Sequence, residues 1–539
     1  MKRSFLFSLL MISAFLLSGC FLFEEEKQPD VAAIRTNTYT IPTGHSLYFV
    51  VHNLTTSTKN VAVWGDNLSL PSTTTKSLFG EIGDLSPSVY PIMGLPSSFP
   101  QVIPTGNWRT QSPSTTKGIF TWGTSTPIDY GYNPSNWVIG TTKLNFWVVN
   151  MVANKYSNIT ATLRAIGTNM TTGASPTSVA GGVAYIFVDD NDWGTRVTPA
   201  MITNLATNFN GAGGIYAKLT NVLGGYEDGG GPDGDGGVDN NRNIYILLHD
   251  IQDGFSGSGG FVGGYYAPIN DFPTNYQPPD TYYSSAKQMF VIDAYPTLSL
   301  YPGFAVSTLI HEAQHMINFG QKYFVGGVQE ETWLNEACSM IVEDILDEFV
   351  PASDRVYMNG SRLSFFVSEP ERGLFRWNDA DVLYDYGKSY AYLAFLARNT
   401  TPRIVKEIVS GAGRNKVGGA AVEAALSAVG AGKTFAESVR LWRKASIYNT
   451  TTLSSSWTGY RTNAAVTGYE LRALDLSTYT NDRSSTGPVF YYFRSSSKTF
   501  TFYPYSTFIF KGVPTSGNTV TVYISDDPQI EVEVIITNL

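Results

Sequence analysis

The sequence is poor in the features that usually advertise a function. Two cysteines in 539 residues, Cys20 and Cys338, exclude a disulfide-built scaffold. Basic residues are outnumbered by acidic ones, 36 against 45, and the formal charge is −9. With no basic cluster anywhere, nucleic acid is a poor fit as a partner. Charged residues make up 15% against 43% hydrophobic, the balance of a folded chain rather than a disordered one. The apolar run at residues 5–17 falls short of the ~20 residues a comfortable membrane span needs. There are only five histidines. Glycine, aromatics, serine and threonine are plentiful, which favours strands and turns over helical bundles. The length is too great for one core and implies several domains.

Lys2 and Arg3 precede the short apolar run, and Leu17-Ser18-Gly19-Cys20 follows it. Small residues before a cysteine at this point resemble a bacterial lipobox. That resemblance implies a signal peptide over 1–19, with Cys20 acylated, palmitate included, as the first mature residue. Residues 20–34, with three glutamates from Glu24 to Glu26, then form a lipid-anchored tether. Cys338 is left without a partner and reads as a small buried hydrophobe. Phe21 stands where an aspartate would signal inner-membrane retention, so the expected location is the outer membrane or cell surface of a bacterial envelope.

Residues 35–175 alternate short apolar runs such as "HSLYFVVHNL" and "KLNFWVVNM" with turn residues, the pattern of a β-sandwich. His45 and His52 fall there without an assigned role. From 176 to 450 the character changes. "VAYIFVDD", "NIYILLHD" and "QMFVIDAY" read as buried strands, and helical patterns follow, so the middle of the chain is α+β. His249 ends one of these strands and is also unassigned. Residues 451–539 return to strands and are expected to form a C-terminal all-β domain. The fold class is therefore multidomain, an α+β domain flanked by β-rich regions.

Chemistry concentrates in "LIHEAQHMINF", residues 309–319. His311 and His315 lie four apart, on one face of a helix. Val306, Ile310, Ala313 and Ile317 form its apolar stripe. Glu312 lies beside the histidines, where it can reach a water on an ion. This is H-E-x-x-H, two zinc ligands and a general base. Catalytic zinc normally takes a third protein ligand. The metzincin extension would need glycine at 318 and histidine at 321, and the chain has Asn318 and Gln321. The other common source is a glutamate on a second, antiparallel helix. "TWLNEACSMIVEDILDEF" is such a helix, with Thr332 as N-cap and Glu336 projecting beside its stripe.

"HEAQHMINF" followed by "WLNEA" resembles the gluzincins, the thermolysin-like clan, and within them the hyicolysin family of secreted bacterial metallopeptidases. The resemblance covers residues 183–450 and implies a thermolysin-like catalytic domain, Zn²⁺ on His311, His315 and Glu336, and Glu312 as base. It implies an endopeptidase acting on extracellular proteins or peptides. Where thermolysin has an aspartate four residues after the ligand glutamate, this chain has Met340; Glu343 shares a face with Glu336. Related enzymes supply an oxyanion donor from a later helix. Among Tyr384, Tyr386 and Tyr390, the Tyr386-Gly387 pair fits that segment best. "GGFVGGYYAP", residues 259–268, is a candidate sheet edge for an added substrate strand, or a loop. Asp233, Asp235 and Asp239, with Asp228, cluster among glycines at 227–241. Their oxygens suit Ca²⁺, although no glutamate closes the loop, and a flexible acidic loop is the competing reading. Two other functions compete. A non-catalytic surface lipoprotein, an adhesin or binding module, would have no need of Glu312. An aminopeptidase would need a site for a free amine, and no such segment is present. Oligomeric state has no signature in the sequence.

Overall fold

The computed structural model describes residues 33–69, 91–93, 136–168, 170, 172–173, 184–211, 213–225, 244–258, 260–272, 283–355, 360–378, 381–449, 451, 457–466 and 469–537. Cys20 with its signal segment, and Asp228, Asp233, Asp235 and Asp239, lie outside them.

A seven-stranded mixed sheet organises the middle of the chain. Its strands are β1 (Pro91–Met93), β2 (Lys143–Asn150), β3 (Lys155–Ile166), β4 (Ala184–Asp189), β5 (Ile244–His249), β6 (Phe261–Tyr266) and β7 (Met289–Asp293), in the order β1-β6-β7-β5-β4-β3-β2. β4, β5 and β7 are parallel and buried along their whole length. Their sequences are accordingly near-continuous apolar runs, since both faces are covered. One face meets helices through Ile186, Ile246 and Ile292. The other meets an aromatic layer of Tyr185, Phe187, Tyr245 and Trp137.

Nine helices follow or interleave among the described residues: α1 (Pro199–Asn210), α2 (Ile215–Leu223), α3 (Pro302–Phe319), α4 (Thr332–Ile345), α5 (Ser361–Ser368), α6 (Val382–Asn399), α7 (Ile404–Val409), α8 (Gly418–Ala428) and α9 (Phe435–Tyr448). α3 is buried on all sides, between β6 and β7 on one flank and α4 on the other. The glycines of "GGFVGGYY" make that possible. A Cβ on Gly263 would lie 2.7 Å from the Phe304 ring, and one on Gly264 would lie 2.6 Å from Thr308 Cγ2. The stretch is a strand rather than a loop. It is not the outermost strand, because β1 pairs parallel to its free side at Phe261, Val262 and Gly264.

The flanking β regions differ from the sequence expectation of two separate domains. Strands from both ends of the chain pair into one sandwich. In one sheet Ile34–Thr40, Thr519–Ser525, Lys59–Asp66 and Lys498–Phe502 lie side by side. In the other, Tyr491–Tyr492, Ser506–Pro514, Ser46–Asn53 and Ile530–Thr537 do. Phe49, Val61, Phe502, Phe510, Val522 and Ile524 fill the space between. The boundary expected at 175/176 also moves, because β2 and β3 continue the central sheet through antiparallel pairing of β3 with β4. Alternation tells which face of a strand is buried and says nothing of its partner.

Candidate metal centre

Helix α3 starts with Pro302 at its first position, where a missing N–H is harmless. Its spacing stacks His311 over His315, ring centroids 4.7 Å apart and planes at 81°. α4 delivers Glu336 against both rings. His311 Nε2 lies 3.1 Å from one Glu336 oxygen, and His315 Nε2 lies 3.5 Å from the other. One ligand atom from each of the three falls within 4.8 Å of the others. All three residues are buried.

The entry of α4 is fixed by neighbours on either side. Glu331, not Thr332, is its N-cap, and no side chain caps it. The buried Lys322–Glu330 pair, with Lys322 Nζ also bonded to Gly413 and Lys416 carbonyls, pins the turn before it. Asn318 Nδ2 donates to Asn335 Oδ1 at 2.5 Å, so α3 and α4 are tied beside the ligands. The residue that rules out a metzincin extension thus has its own function in the hairpin.

Proton positions follow from acceptors. A Glu343 oxygen accepts from His311 Nδ1 at 2.8 Å, so Nε2, turned toward Glu336, is the ring nitrogen that can serve an ion. Ser339 does the same for His315. Its hydroxyl donates to Gln314, so its oxygen accepts from His315 Nδ1 at 3.1 Å. Glu343 in turn is held by Arg362 at 2.9 and 3.2 Å and by the Ser307 hydroxyl. Ser307, Ser339 and Arg362 escape sequence reasoning. Ser339 stands one turn after Asn335, which is a weak signal, and nothing local marks Arg362.

The electrostatics are those of a site built for a cation. Burial alone would raise the Glu336 carboxyl, yet the His315 charge and hydrogen bonds from both histidines hold it down at about 2. Burial disfavours a charged His311, but its bonds to Glu336 and Glu343 push it up to about 9. Burial raises Glu312, which is fully inaccessible; both its oxygens lack a hydrogen-bond partner. An orphaned buried carboxylate beside two imidazoles and a second carboxylate is costly in an empty site. A hydrated divalent ion answers it, offering charge to the three ligands and a water to Glu312. Two nitrogens and one oxygen in this arrangement suit zinc with one open position.

The later helix sorts the tyrosines. Tyr390 is fully buried and donates to Asp344 Oδ2 at 2.9 Å, which makes it a tie between α6 and α4. The Tyr384 ring packs against Phe365, with the Arg372 guanidinium 5.6 Å from its centre. Tyr386 is buried edge-on to Trp377, with ring centroids 5.1 Å apart. A cleft of ≈ 640 Å³, counting space open to solvent, reaches His315 and Glu336 past Tyr266, Phe319, Tyr323 and Asn335.

A second group with metal-ligating types, Asp189, Asp192 and His249, closes the ends of β4 and β5. Its carboxylates are already occupied. Asp189 accepts from His249 Nδ1 at 2.8 Å and from Asn191, while Asp192 accepts from Arg196 and the Asp250 N–H. His52 is buried in the sandwich on Thr507, and His45 is half-buried near the Thr43 carbonyl. Cys338 is buried on α4, and burial pushes its thiol up.

A match to the family described as Peptidase M30 covers residues 167–489. The neutral metalloprotease ShpI of Staphylococcus hyicus is 27% identical over 300 residues, which are 53% of this chain and 59% of that protein. The chain thus spans about three-fifths of the length of this curated relative. The matched residues contain the whole His311–Glu343 constellation and exclude most of the sandwich.

Proposed function

Since the chain belongs to the peptidase M30 family, we propose that it is a zinc-dependent endopeptidase that hydrolyses peptide bonds of extracellular proteins. The observation that carries this is the convergence of His311, His315 and Glu336 within 4.8 Å, beside a buried Glu312 carboxylate. When bound, zinc supplies a Lewis acid that lowers the pKa of its water and polarises the carbonyl. His311 and His315 present bare Nε2 atoms because their protons are held at Nδ1. Glu312 takes the proton of the attacking water and hands it to the leaving amine. Its burial-raised affinity for a proton suits both transfers. Tyr386 is the proposed donor to the developing oxyanion, with Tyr390 committed to Asp344.

The test is zinc content and casein cleavage of the full chain and of Glu312→Ala. The variant is expected to keep one zinc and lose hydrolysis by at least the ~10²–10⁴-fold of a general base. Equal activity in the two proteins would refute the assignment of the base.

The same proposal extends to the cell. Cys20 carries lipid and tethers the enzyme to the bacterial envelope, on the outer membrane or surface. Labelled palmitate should enter the wild type and not Cys20→Ala. Asp233, Asp235 and Asp239 are proposed Ca²⁺ ligands; Ca²⁺ should raise the melting midpoint of the wild type more than that of the triple Asn variant.

A further inference from the structure

We propose that Arg362 is a positioning residue for the metal, acting through Glu343 to keep the His311 proton on Nδ1 and so setting the zinc affinity of the site. This rests on the zinc reading above. Met340, one turn past Glu336, has no carboxylate to offer His311, so the task of orienting that ring falls to Glu343, a further turn along α4.

Glu343 is fully buried, and its surroundings are saturated. One oxygen receives His311 Nδ1 at 2.8 Å and Arg362 Nη2 at 2.9 Å. The other receives Arg362 Nη2 at 3.2 Å and the Ser307 hydroxyl. A carboxylate has about four lone-pair sites, so this one is filled by donors. Arg362 brings a guanidinium charge to that shell.

Two consequences of removing Arg362 oppose each other. Losing a cation near the site should attract a dication more strongly. Losing the donor that bridges both Glu343 oxygens should free that buried carboxylate to turn away from His311. That spoils the ligand, because the ring loses the acceptor that fixes its orientation and tautomer. The second effect wins, because the guanidinium lies behind the carboxylate and the ring, whereas the carboxylate touches the ring directly.

Backbone packing sets the position of Arg362. α5 carries it, and α6 presses against α5 at Gly387. A Cβ there would lie 2.5 Å from the Arg362 carbonyl oxygen and 2.9 Å from the Phe366 nitrogen. The Tyr390 ring lies 5.9 Å from the guanidinium carbon on the α6 side. The charge is therefore delivered by two helices that supply no metal ligand of their own.

The test measures zinc dissociation by competition with a chelator of known affinity, and the melting midpoint of the metal-free chain. Its variants are Arg362→Gln, Glu343→Gln, the double variant and Arg362→Lys. Each Gln variant is expected to weaken zinc ~10–100-fold, the range for a group that supports a metal-ligating histidine. The double variant should lose no more than the worse single one, since both remove the same contact. Lysine keeps the charge but not the fixed position of Nη2 between the two Glu343 oxygens, and should fall in between. Wild-type or tighter affinity in Arg362→Gln, or losses that multiply in the double variant, overturns the role. If Arg362→Gln fails to fold without metal, Arg362→Lys decides: unchanged zinc affinity overturns the role. A wild type that takes up no zinc sinks the zinc reading and this role with it. A zinc-binding wild type with indifferent variants sinks this role alone.

Discussion

A histidine ligates a metal only through a nitrogen that carries no proton, so the residues behind the ring decide as much as the ring. Here Glu343 and Ser339 accept from the two Nδ1 atoms. His311 and His315, with Glu312 beside them, were legible because their spacing is local and helical; Glu336, on a second helix, was picked out by the resemblance of "WLNEA" to a family motif. Ser339 and Arg362 were not, because their roles exist only across helix contacts. Tyrosines were ambiguous for a related reason: in a chain with 32 of them, a hydroxyl's partner cannot be read from its neighbours in sequence. The structure separates two of them by that partner. Tyr390→Phe should lower stability by about 1 kcal/mol in chemical denaturation, the net worth of a hydrogen bond, and leave kcat unchanged. Tyr386→Phe should instead lower kcat with little change in KM, as for a group that acts in the transition state. Steady-state kinetics on a peptide distinguishes the pair, and a kcat loss confined to Tyr390→Phe reverses their assignment.

At the scale of elements, glycine decides how near α3 comes to the sheet. The sequence revealed that "GGFVGGYY" permits close backbone approach, but not what approaches; the structure places α3 there. Gly264→Ala brings a methyl within 2.6 Å of Thr308 Cγ2 and 2.7 Å of the Val291 carbonyl. Neither neighbour is the far end of a flexible chain. An overpacking loss of roughly 1–3 kcal/mol is expected from urea unfolding. Because α3 carries both histidines, peptidase activity should fall along with stability. A variant as stable as wild type would mean that helix and strand can separate without strain. β4, β5 and β7 were legible from their unbroken apolar runs. α4 starts one residue early because Glu331, rather than Thr332, sits at its cap, and it ends at Ile345, short of the Phe349 that the pattern suggested.

At the scale of the whole molecule, two β regions that read as separate proved to be halves of one sandwich. Nothing in either half names the other, since pairing between distant strands leaves no local mark. The sandwich is docked on α9, where Ile447 joins Tyr48, Val50, Ile509 and Ile535, and Lys444 pairs with Glu533 at 2.7 Å. A second contact is half-buried. The Tyr491 hydroxyl donates to Glu371 at 2.7 Å, and the other Glu371 oxygen has no partner. Burial pushes this carboxyl up to about 7. A carboxyl raised on folding binds its proton more tightly when folded, so its contribution is fully present below the unfolded value. It is lost as pH rises through about 7. Glu371→Gln should flatten that slope and gain on the order of 1–3 kcal/mol at pH 8. Denaturation at pH 5 and pH 8 checks it, and an unchanged difference between the two refutes a protonated Glu371.

Strand Ile34–Thr40 lies against Thr519–Ser525, and Ser46–Asn53 lies between Ser506–Pro514 and Ile530–Thr537. During synthesis the first segments to emerge must therefore wait for the last. The helical hairpin with its histidines can assemble while the sandwich is still half made. A nonsense codon late in the gene, or a nick near the carboxyl end by another protease, would strip both leading strands of their neighbours. It would leave their amide edges open to aggregation although His311, His315 and Glu336 are all still present.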